Sequence, residues 1–442
     1  YFRTVATRSA EFRIAMLRKL QTALRERETD IDAAMKADMN KAPSEVYMTE
    51  TGMVLEELRF HIRHVGGWMR ERTVPTPLAQ FRAKSFLSPE PKGVALIMAP
   101  WNYPVQLCLE PLIGAISAGC TAVVKPSAYA PATSEVLAGL LNGIFPKEYV
   151  AVVEGGRAEN AALLDQEFDH IFFTGSPAVG RTVLESAAKH LTPVSLELGG
   201  KSPVIVDETA NLTLAARRIA FGKCINAGQT CVAPDYLWIH ESRKDAFVEA
   251  YRRALGEFFP GGNYSDMNVI INERHFRRVS ALLDSGTTVI GGGTDPARRM
   301  IEPTLLDGVR LDSPIMQEEI FGPILPMLPY SDLQECVDYI VAQPHPLALY
   351  LFTESWAAER LVLDRCSFGG GCINDTVIHL ATAHMGFGGV GNSGMGSYHG
   401  KRSFDTFSHE RSIVKKATWI DLPIRYRPYT AARDRMLRRF LK

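Results

Sequence analysis

Hydrophobic positions follow three regimes along the chain. Over residues 8–70 they recur at a period near 3.6, as at Phe12, Ala15, Met16 and Leu20, which predicts helices. Residues 73–91 break that rhythm. Four prolines (Pro75, Pro77, Pro89, Pro91) flank a short apolar–polar alternation, predicting a hairpin that leaves the main body. From Gly93 onward short apolar runs, at 94–98, 122–124, 149–153, 171–173, 194–198 and 204–206, alternate with helical lengths such as 110–118, 134–141 and 178–189. Strands that are apolar throughout, spaced by helices, belong to a parallel sheet covered on both faces.

A second α/β series follows residue 231. It predicts strands at 236–240, 288–290, 324–328 and 347–352, and helices at 243–259, 273–284, 332–342 and 355–365. The boundary between the two series falls near residues 198–212. Residues 387–396, F-G-G-V-G-N-S-G-M-G, form a loop with many special backbone angles. Late strands are expected at 403–407 and 412–415. A proline-bearing tail then closes on R-M-L-R-R-F-L-K, a basic amphipathic segment suited to a surface helix rather than an anchor.

Composition narrows the function classes. A chain of 442 residues has room for two or three domains. Lys plus Arg equals Asp plus Glu at 49 each, so no global field recruits nucleic acid or an anionic membrane. The seven cysteines are odd in number, scattered and never in a C-x-x-C pair, which argues against a disulfide framework and a structural zinc. Reduced thiols suggest a cytoplasmic setting. No apolar run approaches the ~18 residues of a membrane span, so no transmembrane anchor is expected. The start at Tyr1 also lacks the order of a signal peptide.

Candidate chemistry centres on Cys231, in F-G-K-C-I-N-A-G-Q-T-C-V-A-P. A helix from Leu212 to about Cys224 breaks by Ala227-Gly228 and leaves the thiol on a loop. Most single cysteines are inert buried groups, so partners elsewhere must decide its role. Glu197 sits within the apolar strand Val194–Leu198, just before Gly199-Gly200, where a carboxylate acquires a raised pKa or opens into a cleft, the profile of a general base. Asn102, in A-P-W-N-Y-P, offers a rigidly held amide that suits an oxyanion. In F-T-G-S-P-A-V-G-R a strand ends at Phe173, Gly175 turns the chain after Thr174, and a helix opens near Pro177 or Ala178, so its free amides and the Ser176 hydroxyl form a phosphate seat. Gly175 to Gly180 has the outline of a P-loop, but Arg181 stands where that motif needs lysine. Lys125, at the carboxyl end of a strand, suits a ribose hydroxyl or a phosphate. Glu319 and Phe321 lie two apart in an extended segment and can grip a ribose and a flat ring. A cysteine protease is a poorer reading, because nothing links His240 to the thiol.

Together these stretches resemble the aldehyde dehydrogenase superfamily over nearly the whole chain. The motifs are A-P-W-N-Y-P, F-T-G-S, L-E-L-G-G-K-S-P, G-Q-T-C-V-A-P-D-Y and E-E-I-F-G-P. The run from Phe387 to His409 looks like the class 3 branch of compact dimeric enzymes acting on aromatic and medium-chain aldehydes. The resemblance implies two doubly wound α/β domains plus a small β bridging element. Residues 1–70 and 93–198 would bind dinucleotide, 199–397 would be catalytic, 71–92 and 398–425 would bridge subunits of a homodimer, and 426–442 would be a tail. It implies Cys231 as nucleophile, Glu197 as base and Asn102 as the oxyanion amide. For the cofactor it implies Thr174, Gly175, Ser176 and Gly180 at the phosphates, Lys125 at the adenosine ribose, Glu319 and Phe321 at the nicotinamide ribose, and Gly199 as a further cofactor-binding residue. Tyr103, Phe221 and Thr230 would line the aldehyde channel, and no metal is implied. One departure matters. Ala128 stands where the family usually carries a ribose-binding glutamate, so NADP should be accepted at least comparably with NAD. The alternatives are an acyl-thioester reductase, disfavoured by Glu197, and a catalytically silent binding protein.

Overall fold

The structure is a computed structural model that describes residues 1–440. The N-terminal helices Ala10–Glu26, Glu28–Met39 and Gly52–Trp68 form as the 3.6 period predicts, the first capped by Ser9 Oγ accepting the Phe12 N–H. Their apolar faces, with Leu17, Leu20, Met35 and Leu58, are buried in the largest core cluster.

Two open sheets organise the rest. The first has six strands, in the spatial order Gly394–Met395, Val194–Glu197, His170–Thr174, Val94–Met98, Thr121–Lys125, Val150–Val152. All its pairings are parallel except that of Gly394–Met395. The second has seven strands, ordered Thr287–Ile290, Thr304–Asp307, Ile324–Tyr330, Tyr236–His240, Pro203–Val206, Ala348–Phe352, Gly370–Ile373. Only its Thr287–Ile290 edge is antiparallel. The predicted hairpin pairs Arg72–Val74 with Ala83–Pro91, and Ser408–Lys416 joins it as a third, antiparallel strand.

Three local expectations change. Residues 403–407 are not a strand but lie in and just after the helix Lys401–Thr406. Phe404 and Phe407 are buried against Gln106–Ala118, where a Cβ at Gly114 would sit 2.9 Å from Ser403 and 3.0 Å from Phe407. The F-x-x-F spacing serves one helical face rather than a strand alternation. The helix Gln106–Ala118 starts a turn earlier than Glu110, although Pro111 marks a helix start in sequence. Its first amides are instead capped from far away, by Glu50 Oε2, which accepts from Val105 N–H (3.0 Å) and Gln106 N–H (2.9 Å). The strands Thr304–Asp307 and Gly370–Ile373 complete the second sheet without a distinct signal; the second is rich in glycine. In the tail, Ala431–Phe440 is helical. Among the described residues no helix is long and apolar enough to cross a membrane.

Candidate active site

Three strands of the first sheet end at one edge, and the segments that follow them form a single groove. Pro100, Trp101 and Asn102 follow Val94–Met98, Gly175–Ala178 follow His170–Thr174, and Leu198–Lys201 follow Val194–Glu197. The carboxyl edge of a parallel sheet is where open α/β folds bind ligands. With Cys231, Glu319 and Phe321 these residues enclose a cavity of about 1000 Å³. Ser176 caps the helix Pro177–Ala188 through Val179 N–H (3.4 Å), and Pro177 occupies its first turn. Gly199 leaves room for the Glu319 carboxylate, which a Cβ at this position would displace.

The chemistry-bearing side chains meet at the bottom of this groove. Glu197 is buried, neither carboxylate oxygen has a hydrogen-bond partner, and burial raises its pKa well above the usual range. Cys231 follows the turn Ile225–Gly228, whose Asn226 (φ 51°) and Ala227 (φ 52°) take left-handed backbone angles. Burial pushes its thiol pKa up, and the nearby Glu319 and Glu197 carboxylates add to the rise. Its own N–H and that of Val232 point at the sulfur and oppose that rise. Asn102 is locked by a lattice of amides. Its Nδ2 donates to Gln229 O (3.1 Å), while Asn226 Nδ2 donates to Asn102 O (2.8 Å) and to Gln229 O (3.0 Å). Gln229 in turn donates to Asn226 O (3.1 Å) and Val269 O (3.1 Å), and accepts from Ile271 N–H (3.0 Å). This leaves the second Asn102 Nδ2–H without a protein acceptor among the described residues.

Cys231 also faces a second, smaller cavity of about 160 Å³. Tyr103, Phe221 and Thr230 line it with Met48, Ile225 and Phe387, and the wall is almost wholly apolar. The Tyr103 hydroxyl hydrogen-bonds Thr230 Oγ1 at 2.5 Å. The sulfur therefore stands between a long groove and an apolar pocket.

The sequence profile described as the aldehyde dehydrogenase family matches residues 1–413. The chain belongs to the aldehyde dehydrogenase family. It is 49% identical over 434 residues to the 4,4'-diaponeurosporen-aldehyde dehydrogenase of Staphylococcus aureus, covering 97% of this chain and 94% of that one. It is 43% identical over 445 residues to aldehyde dehydrogenase family 3 comG of Dictyostelium discoideum, covering 100% and 95%. The solved substrate-bound state of Staphylococcus aureus AldH superposes with a TM-score of 0.97 at 47% identity, over 100% of this chain and 97% of that one. A Mycobacterium tuberculosis aldehyde dehydrogenase complexed with NAD+ gives 0.83 at 28% identity, over 93% and 86%. The enzyme is an NAD(P)-dependent aldehyde dehydrogenase of the family 3 branch.

The groove of this aldehyde dehydrogenase fits a dinucleotide. The helix start after Ser176 leaves free amides at the groove, the kind of place that suits a phosphate. Glu319 keeps Oε1 without a partner, and burial, ahead of the neighbouring Asp235, holds its pKa up to about 8. Phe321 adopts φ 51° and packs edge-on against Trp101 (5.4 Å between ring centres). Two expected cofactor residues stand apart from the groove wall. Lys125 Nζ donates to Pro126 O (2.8 Å) and Gly155 O (2.6 Å). Gly180 faces Leu198, where a Cβ would lie 2.7 Å from a methyl carbon, so it permits helix packing. The sequence reading missed Met48, Ile225 and Tyr398 as cavity walls, and Asn226 and Gln229 as the lattice around Asn102. Met48 lies in a helical run whose period signals only a core face.

Proposed function

We propose that Cys231 is the nucleophile, Glu197 the base and Asn102 the oxyanion donor of aldehyde oxidation to a carboxylic acid. The observation that carries this reading is the position of Cys231, which lines both the dinucleotide-sized groove and the apolar pocket. Cys231 gives its thiol proton to solvent, the thiolate sulfur adds to the aldehyde carbon, and the carbonyl electron pair moves onto oxygen. Asn102 Nδ2–H and the Cys231 N–H receive that charge, so no metal is required. NAD(P), when held in the groove, would supply the hydride acceptor, and Cys231 would then carry the acyl group as a thioester. Glu197 then takes a proton from water as water adds to the thioester and sulfur leaves. Thr174, Gly175, Ser176, Gly199, Glu319 and Phe321 would hold the cofactor.

An apolar pocket selects an apolar substrate. Tyr103, Phe221 and Thr230, with Met48 and Phe387, favour aromatic or medium-chain aldehydes. Ala128 is exposed and offers no carboxylate against a 2′-phosphate, which supports use of NADP beside NAD. The six-stranded sheet with its helices would be the dinucleotide domain and the seven-stranded sheet the catalytic one. The outer edge of the three-stranded sheet, Ser408–Lys416, is mostly exposed, and an open edge of that length supports a homodimer bridged there.

The test is a panel of aromatic, short and long-chain aldehydes assayed with NAD and with NADP by nicotinamide reduction. Higher kcat/KM for aromatic and medium-chain aldehydes than for short ones is the expected result. Preference for short polar aldehydes would overturn the substrate reading, and failure to reduce either dinucleotide would overturn the site.

A further inference from the structure

The short helical segment 43–51 belongs to neither large sheet, yet it touches both halves of the oxyanion site. Pro43–Val46 is a single α turn that widens into a π turn over Tyr47–Thr51, a form concentrated at functional sites. Glu50 Oε2 accepts the Val105 and Gln106 N–H groups, which begin the helix three residues beyond Asn102. Glu45 Oε1 accepts the Asn226 N–H (2.8 Å), at the left-handed turn that delivers Cys231. Lys41 Nζ bonds Glu50 Oε1 at 3.0 Å with both side chains fully buried, and it lies 4.2 Å over the Tyr103 ring. One carboxylate thus grips each loop, and the Lys41 ammonium, bonded to Glu50, reaches Glu45 only through its charge.

Helix capping accounts for Glu50 Oε2, but stability gives little reason for burying the Lys41–Glu50 ion pair beside it. A buried ion pair seldom outperforms apolar residues of the same volume, because desolvating two charges offsets their attraction. Fixed geometry is what it provides. We propose that Lys41, Glu45 and Glu50 are positioning residues that hold the Asn102 amide and the Cys231 loop in register, so that both oxyanion donors converge on one oxygen. This rests on the roles proposed above for Asn102 and Cys231. A misplacement of about 1 Å at a reacting centre costs on the order of 100-fold in rate.

The test is a double-mutant cycle read by the pre-steady-state burst of reduced nicotinamide, with NAD binding titrated in parallel. Asn102→Ala alone examines the site reading; an unchanged burst there refutes that reading and, with it, the positioning role. If Asn102→Ala slows the burst, Glu50→Gln and Glu45→Gln should each slow it by about 10- to 100-fold with NAD affinity unchanged. In the Asn102→Ala background, Glu50→Gln should then add less than about threefold, because its effect passes through the missing amide. A full multiplicative loss in the double variant, an unaltered burst in both Gln variants, or weakened NAD binding would overturn the inference. Should Glu50→Gln fail to fold, Lys41→Met with Glu50→Gln removes both buried charges together and enters the same cycle, while Glu45→Gln tests the other loop independently.

Discussion

Replacing Glu197 by glutamine separates the chemistry from the fold. The side chain is 2% exposed, and neither oxygen has a partner. Burial therefore holds the folded acid well above its ordinary pKa. The sign follows from linkage. Between the ordinary carboxylate pKa and the raised one, the folded protein binds a proton that the unfolded chain releases, so stability falls as pH rises. Each pH unit inside that window costs about 1.4 kcal/mol, and the window closes at the folded pKa. Glu197→Gln removes this slope, although the absolute midpoint also reflects an amide left without partners. In catalysis the loss of a general base is about 10²–10⁴-fold, or about 3–5 kcal/mol, and it falls on thioester hydrolysis alone. Thermal unfolding midpoints from pH 5 to pH 8, with burst and steady-state rates, give both readouts. The variant should keep its burst, lose steady turnover, and unfold with a shallower pH dependence than the parent. Loss of the burst with hydride transfer, or an unchanged pH slope, would refute the reasoning.

Cys231→Ala should abolish turnover while NAD binding, followed by fluorescence titration, persists. NADP should support a kcat/KM within tenfold of that with NAD, and a larger preference for NAD in saturation kinetics would remove the inference drawn from Ala128. Phe221→Ala should raise the KM for aromatic aldehydes while leaving the KM for NAD unchanged, because Phe221 lines the apolar pocket and not the groove.

Much of the fold is visible in period and punctuation. Apolar runs bounded by glycine and proline mark ten of the strands, and the 3.6 rhythm marks the N-terminal helices. Local rules fail where a distant residue decides. Gln106 begins a helix because Glu50, 56 residues earlier, caps it, and no window around Pro111 contains that carboxylate. Residues 403–407 coil because Gly114 opens a site for Phe407. The same division holds at the site. Cys231, Glu197 and Asn102 each sit in a short motif whose chemistry is local, and the cavities bring them together. Lys125 lies at the correct edge of its sheet, but its ammonium is held by two backbone carbonyls, Pro126 O and Gly155 O. The Asn226 and Gln229 lattice depends on left-handed angles that Asn-Ala-Gly only hints at.

The intact mass of the Glu197→Gln enzyme, quenched after mixing with NAD and an aromatic aldehyde, tests the central claim most directly. An adduct of the acyl mass, mapped by peptide digestion to the fragment bearing Cys231, is the predicted result. An unmodified protein despite a full burst, or an adduct on any of the other six cysteines, would contradict it.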